Sequence, residues 1–264
     1  MDGSETMRIL WLRSPLLTAM ALVLVAAAGR AQPVPQAHAE GRGVLPQASL
    51  PVLYDQTANP TISGYTSQDF TDAGGISDPF DSVAADDFEV PAGQVWSISG
   101  IDLPGFFGSG SPGPVDTVAV VFYADAAGSP GAALCSFAGV IPAAQVSGSL
   151  SILLPAPCAM PEGRAWMSVQ AVAPSMPNGQ WFWFEESVQR FAAAVWQNPG
   201  DGFATGCTTF MPATSCGASQ PDFSFLLRGM VLSDIPTLGG GGLALFALLL
   251  AAGSLMLVRR RLAR

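Results

Sequence analysis

The sequence predicts a mainly β ectodomain, a jelly-roll-like β-sandwich over residues 50–232, flanked by an N-terminal signal peptide and a C-terminal transmembrane helix. Three observations predict it. Gly and Pro break the body every eight to fifteen residues, and the runs between the breaks are short and of strand type. No uninterrupted amphipathic helical pattern of twelve residues occurs among them. Many short strands separated by turn signals favour a sandwich or barrel over helical architectures.

In chain order, Arg8 and Arg13 precede an apolar run, Leu16 to Ala28, followed by Gly29-Arg30-Ala31. This is the layout of a secretory signal peptide over residues 1–31, cut at a small-residue site before Gln32. A second small-x-small site, Ala37-His38-Ala39, lies far beyond the apolar run. Residues 32–49 are rich in Pro, Ala and Gln and read as a flexible leader. The strand-type runs of the body are Val95 to Ile101, Thr117 to Tyr123, Leu150 to Leu154, Ala165 to Val172, Gln180 to Phe184, Ala193 to Trp196 and Asp222 to Leu232. Trp96 and Ile98 alternate with Ser97 and Ser99, which suits a sheet with one wet face. Thr117 to Tyr123 is apolar on both faces and needs cover on both sides. Phe106-Phe107, between Gly105 and Gly108 and after Pro104, reads as a loop whose large apolar groups require a contact.

Residues 233–264 form a separate tail. Ile235-Pro236-Thr237-Leu238 is followed by four glycines, an uncharged and mostly apolar stretch, and then Arg259, Arg260 and Arg261. At about 1.5 Å per residue, a helix over residues 239–258 matches a hydrocarbon core roughly 30 Å thick. The arginines act as a stop that stays cytoplasmic, which places the body outside the inner membrane. The order of motif, span and basic end resembles the tail of IPTL-CTERM proteins. That resemblance implies an exported precursor, cut by signal peptidase and anchored in the inner membrane by its C-terminal helix. An exosortase-type enzyme would then process the tail, leaving the body at the cell surface or outside the cell. The four glycines directly after the motif depart from a varied entry into the helix and leave the cut position open. The body, through Ala85-Asp86-Asp87-Phe88-Glu89-Val90-Pro91, Phe122-Tyr123-Ala124-Asp125 and Asp222-Phe223-Ser224-Phe225, resembles a recurrent β-sandwich module of bacterial surface proteins. That module brings no catalytic residues, and the pair of resemblances implies a structural, adhesive or matrix role.

Composition narrows the chemistry. Between residues 32 and 234 four arginines face eighteen acidic residues, with no lysine, a net charge of −14. Such a body repels phosphate backbones and anionic lipid, so nucleic acid is not an expected partner. Cys135, Cys158, Cys207 and Cys216 all fall in the exported part, where an even count reads as two disulfides with three connectivities open. Pairing between neighbours, Cys135 with Cys158 and Cys207 with Cys216, is favoured. The second pair would staple a surface loop, with a mild effect on the core.

The single histidine, His38, lies in the leader, so no Ser-His-Asp or Cys-His arrangement is available to the body. Without lysine there is no Walker-type phosphate loop and no Schiff base. Paired carboxylates remain, from Asp86, Asp87, Glu89, Glu185 and Glu186, but neighbours on a strand point to opposite faces. The expectation is a non-enzymatic protein without a resident cofactor. Calcium is the one ion with candidate ligands: Asp69, Asp72, Asp78, Asp81, Asp86 and Asp87 fall within nineteen residues rich in Gly and Ser. No Asp-x-Asp-x-Asp-Gly loop accompanies them, and solvated acidic loops are the alternative. Finally, Trp181-Phe182-Trp183-Phe184 puts two indoles on one strand face and two phenyl rings on the other. Were the indole face open, Trp181 and Trp183 would stack on sugar rings of an extracellular polysaccharide. Buried, they would be core.

Overall fold

The computed structural model describes residues 32–39, 50–108, 111 and 113–232. Its secondary structure is strand, with two 3-10 turns at Asp78–Phe80 and Ala213–Cys216 and no α-helix among the described residues. No helix of the described residues is long and apolar enough to cross a membrane. The expected signal peptide over residues 1–31, the Ile235-to-Leu238 motif, the expected span over residues 239–258 and the Arg259-to-Arg261 cluster lie outside them.

Three sheets build the body, antiparallel except at one pairing. The first runs β10 (Ala144–Val146), β11 (Ser149–Met160), β6 (Val95–Leu103), β17 (Phe225–Leu232) and β2 (Val52–Gln56). The second runs β15 (Met211–Pro212), β14 (Val195–Gln197), β5 (Val83–Val90), β12 (Gly163–Ala173), β8 (Thr117–Asp125) and β9 (Pro130–Val140). Along one edge of β12, β5 is followed by the parallel β4 (Gln68–Phe70). The third runs β1 (Gln36–His38), β3 (Pro60–Thr66) and β13 (Trp181–Glu186), with β7 (Gly105–Phe107) and β16 (Asp222–Phe223) sharing the far edge of β13.

Each predicted run overlaps a strand. The main core draws Ile98, Ile101 and Ile152 from the first sheet, Phe88, Val120 and Phe122 from the second, and Tyr65, Trp181 and Trp183 from the third. All five described tryptophans send the indole N–H to an acceptor, for example Trp181 to the Gly148 carbonyl at 2.7 Å and Trp183 to that of Ser224 at 2.8 Å. Satisfying the indole N–H is what lets rings this large be buried without leaving an unpaired donor.

Two expectations change. Phe106 and Phe107 stand on β7, not on a loop, and Phe106 stacks on Phe182 with centroids 5.3 Å apart. The glycines that suggested a loop are there for close approach: a Cβ on Gly105 would lie 2.5 Å from the Trp181 ring. The leader, too, is structured at residues 36–38, where β1 pairs in register with β3, Ala37 opposite Gly64. The side chain of Gln36 reaching Glu185 and that of Gln180 bracketing Val34 supply what composition does not reveal.

Candidate functional site

The residues richest in chemistry gather where β5, β13 and β16 meet. Asp86, Asp87, Glu185, Glu186 and Asp222 are all buried, none more than 1 % exposed. Antiparallel pairing puts Glu186 opposite Asp222 and Glu185 opposite Phe223. Burying five carboxylates is costly unless each finds donors or gives up its charge.

Each is supplied with donors. The Asp86 Oδ2 accepts the Phe223 N–H at 2.7 Å and the Gln56 amide at 2.9 Å. Gln56 also donates to the Phe223 carbonyl at 3.1 Å, so one side-chain amide ties β2 to β5 and β16. Asp222 accepts the Arg190 N–H at 2.5 Å, and Asp87 the Ala192 N–H at 3.0 Å. Between those two amides, Phe191 adopts a left-handed backbone at φ 57°. Two carboxylates therefore grip alternate amides of one turn and hold a phenylalanine in a conformation it rarely adopts. Glu185 accepts from the Ser219 N–H and hydroxyl, both at 2.8 Å, and Glu186 from the Asn59 N–H.

The charge balance follows from this. Burial, with Asp222 nearby, pushes Asp86 well above the usual carboxylate range. Burial pushes Asp222 up to about 7, against the lowering effect of the Arg190 N–H. Asp87 is raised to about 6 by burial, offset in part by the Ala192 N–H and the Arg164 guanidinium, whose Nε lies 3.4 Å away. Tyr54, against the same cluster, is raised first by burial and then by Asp86. Guanidinium and aromatic groups cap the corner, with Arg164 over Phe191 at 5.7 Å and Arg190 over Tyr54 at 5.9 Å.

The sequence candidates divide accordingly. Asp86, Asp87, Glu185 and Glu186 come together, whereas Glu89 is exposed on β5. Asp222, which couples to Asp86, had no signal in the sequence beyond its place at the head of a strand. Among the described residues no set of three or more His, Cys, Asp or Glu side chains is placed to hold a metal, the calcium candidates Asp69, Asp72, Asp78, Asp81, Asp86 and Asp87 included. Asp72 accepts the Ser175 N–H and hydroxyl, both at 3.0 Å, and Asp81 accepts the Phe70 N–H at 2.8 Å. Asp86 and Asp87 face opposite sides of β5, as neighbours on a strand must. Burial, with Asp69 and Asp78 near, raises Asp81 to about 6, while at Asp72 burial is outweighed by hydrogen bonds from Ser175 and Ser77, which hold it low.

The sugar-stacking reading of Trp181 and Trp183 is also corrected, since both are 0 % exposed. Phe106, Phe182 and Phe184 form a separate cluster on the other face of β13, so that strand is covered on both sides. The cysteines pair as Cys135–Cys158, which joins β9 to β11, and Cys207–Cys216. Cys207 and Cys216 belong to the main core, and the Tyr65 hydroxyl donates to the Cys216 carbonyl. The second staple is therefore internal, not a surface trim. No family model, no curated protein and no solved structure matches the chain.

Proposed function

We propose that the chain is an exported, non-enzymatic surface protein, a disulfide-stapled β-sandwich of jelly-roll type with a structural or matrix role. In this reading an exosortase-type enzyme processes the precursor at Ile235 to Leu238. The observation that carries the proposal is the pairing of all four cysteines into two disulfides, which suits an oxidising compartment. The tail supplies the route: a proline-containing motif, a stretch long enough to span, and an arginine stop. The carboxylate cluster supports the non-enzymatic part. Asp86 and Glu185 accept donors of the body through both oxygens and Asp87 and Asp222 through one each, and all five carboxyl groups are buried.

Pro236→Ala tests the proposal in an exporting host that carries a cognate processing enzyme. Proline removes a donor and fixes φ near −65°, which holds the motif extended for a cleft. The variant is expected to accumulate in the inner membrane as a longer species while wild type leaves it. Equal tail lengths and equal fractionation of the two would overturn the sorting reading.

A further inference from the structure

Residues 33–39 sit on the body as a docked peptide does. Pro35 accepts the Thr66 N–H at 2.9 Å and Ala39 donates to the Ile62 carbonyl at 2.8 Å, with the three pairs of β1 between them. The Gln180 side chain grips Val34 by its backbone alone, accepting its N–H at 2.8 Å and donating to its carbonyl at 2.6 Å. Gln36 donates to both oxygens of Glu185, at 3.2 and 3.0 Å. Ala37 and Ala39 lie on the Phe106, Phe182 and Phe184 cluster. Gly64 makes room, because a Cβ there would meet the Phe106 ring at 2.5 Å.

We propose that this edge of β3 is a strand-acceptor groove, and that it takes residues 33–39 of a second copy of this chain. Without a strand there, the β3 edge would expose unpaired backbone beside a phenyl cluster, a template for another chain. The segment that fits is this chain's own. It places small side chains over the rings, and it carries no acidic residue although the body it docks on is strongly acidic. An exchanged strand makes the same contacts as the unexchanged one, so the two states differ only in how β1 is tethered. Residues 40–49 are that tether, with a reach of about 40 Å at most. For a flexible linker of ten residues the effective concentration is on the order of millimolar, and the proposal takes that as the level of crowding at which exchange wins, as on a surface. The inference concerns the ectodomain alone and holds whether or not the tail is cut.

His38 and Ser63 are opposite each other in register. Hydrogen bonding at Ala39–Ile62 makes the adjacent 38–63 position a non-hydrogen-bonded pair, with Cα atoms roughly 4.5 Å apart, within reach of a disulfide. Two full-length proteins in detergent, His38→Cys with one tag and Ser63→Cys with another, are mixed and oxidised. The expected product is a hetero-dimer linked 38 to 63 by peptide mapping, rising with concentration towards about 1 mM. An unlabelled peptide of residues 32–39 should suppress it, and the Ala37→Asp peptide should not. The double variant His38→Cys/Ser63→Cys checks the acceptor geometry and should link within one chain. If it links internally while the mixed singles never link 38 to 63, exchange is overturned. If the double variant itself fails to link, the groove is overturned.

Discussion

Strand β13 holds two regions of opposite character within six residues. Trp181, Phe182, Trp183 and Phe184 are buried against apolar surface on both faces of the strand, whereas Glu185 and Glu186, equally buried, enter a cluster of carboxylates. Burial stabilises the first half outright, through dispersion and removal of apolar area from water. In the second half burial is a cost that backbone N–H groups, Gln56 and retained protons must offset. Equal burial thus gives unequal consequences: the aromatic half is sensitive to side-chain volume, whereas the cluster that the acidic end enters is sensitive to pH through Asp86, Asp87 and Asp222.

Removing volume from the aromatic half has the largest expected effect. Trp183→Ala deletes a ring stacked 5.1 Å from Phe223 and should cost about 3–5 kcal/mol, a large fraction of a domain's stability. Trp181→Ala should be similar. A fully folded double variant with an unchanged melting temperature would break the contrast and reopen the face to ligands.

Acidity sharpens it from the other side. Asp86 is raised well above the usual range, Asp222 to about 7, and Asp87 and Asp81 to about 6, so the folded protein keeps protons that the unfolded chain releases above about pH 4. A raised folded-state pKa means that stability is fully present at low pH and is lost as pH rises through that value. Stability, and Tm with it, should therefore fall as pH rises from about 4 to 7. Asp72, held low, opposes this only as pH falls below the ordinary carboxylate range. Calorimetry from pH 5 to 8 should show Tm falling, and Asp222→Asn should flatten the slope. A Tm that rises over that interval would contradict the cluster's role.

The inner disulfide comes next. Cys207→Ser with Cys216→Ser opens a closed loop of sequence separation 9, which model-dependent loop entropy values at about 2–3 kcal/mol. Because Cys216 packs beside Trp196, the loss should appear as hydrogen exchange in β14, not only in the loop. The smallest effect belongs to β1. Gln180→Ala removes two partly exposed hydrogen bonds and should cost about 1 kcal/mol, with faster exchange confined to residues 33–39 and the β3 edge.

What could be read in advance follows the same division. Strands with aromatic or β-branched runs, such as β6, β8, β12 and β13, were legible because periodicity survives in them. β3, β5 and β9 were not. Ser63-Gly64 interrupts β3, Asp86-Asp87 puts charge into the middle of β5, and β9 consists largely of small residues. Disulfide pairing between neighbours was legible from chain order, but the burial of the second pair was not, since Thr208 to Ser215 has the composition of a surface loop. The carboxylate cluster was half legible. Asp86, Asp87, Glu185 and Glu186 stood out as adjacent acids, yet what joins them is Asp222, far along the chain and brought in by β16 pairing with β13. Long-range register leaves no local mark on the sequence.

The proposed route to the surface makes the most direct demand on the mature protein's two ends. Intact-mass and terminal-peptide spectrometry of wild-type protein released from cells should find Gln32 as the first residue, because a cut after Ala39 would strip β1 from the β3 edge. It should find both disulfides and a C-terminus that lacks Arg259 to Arg264. Mature protein that still carries its arginine tail at steady state would contradict the account.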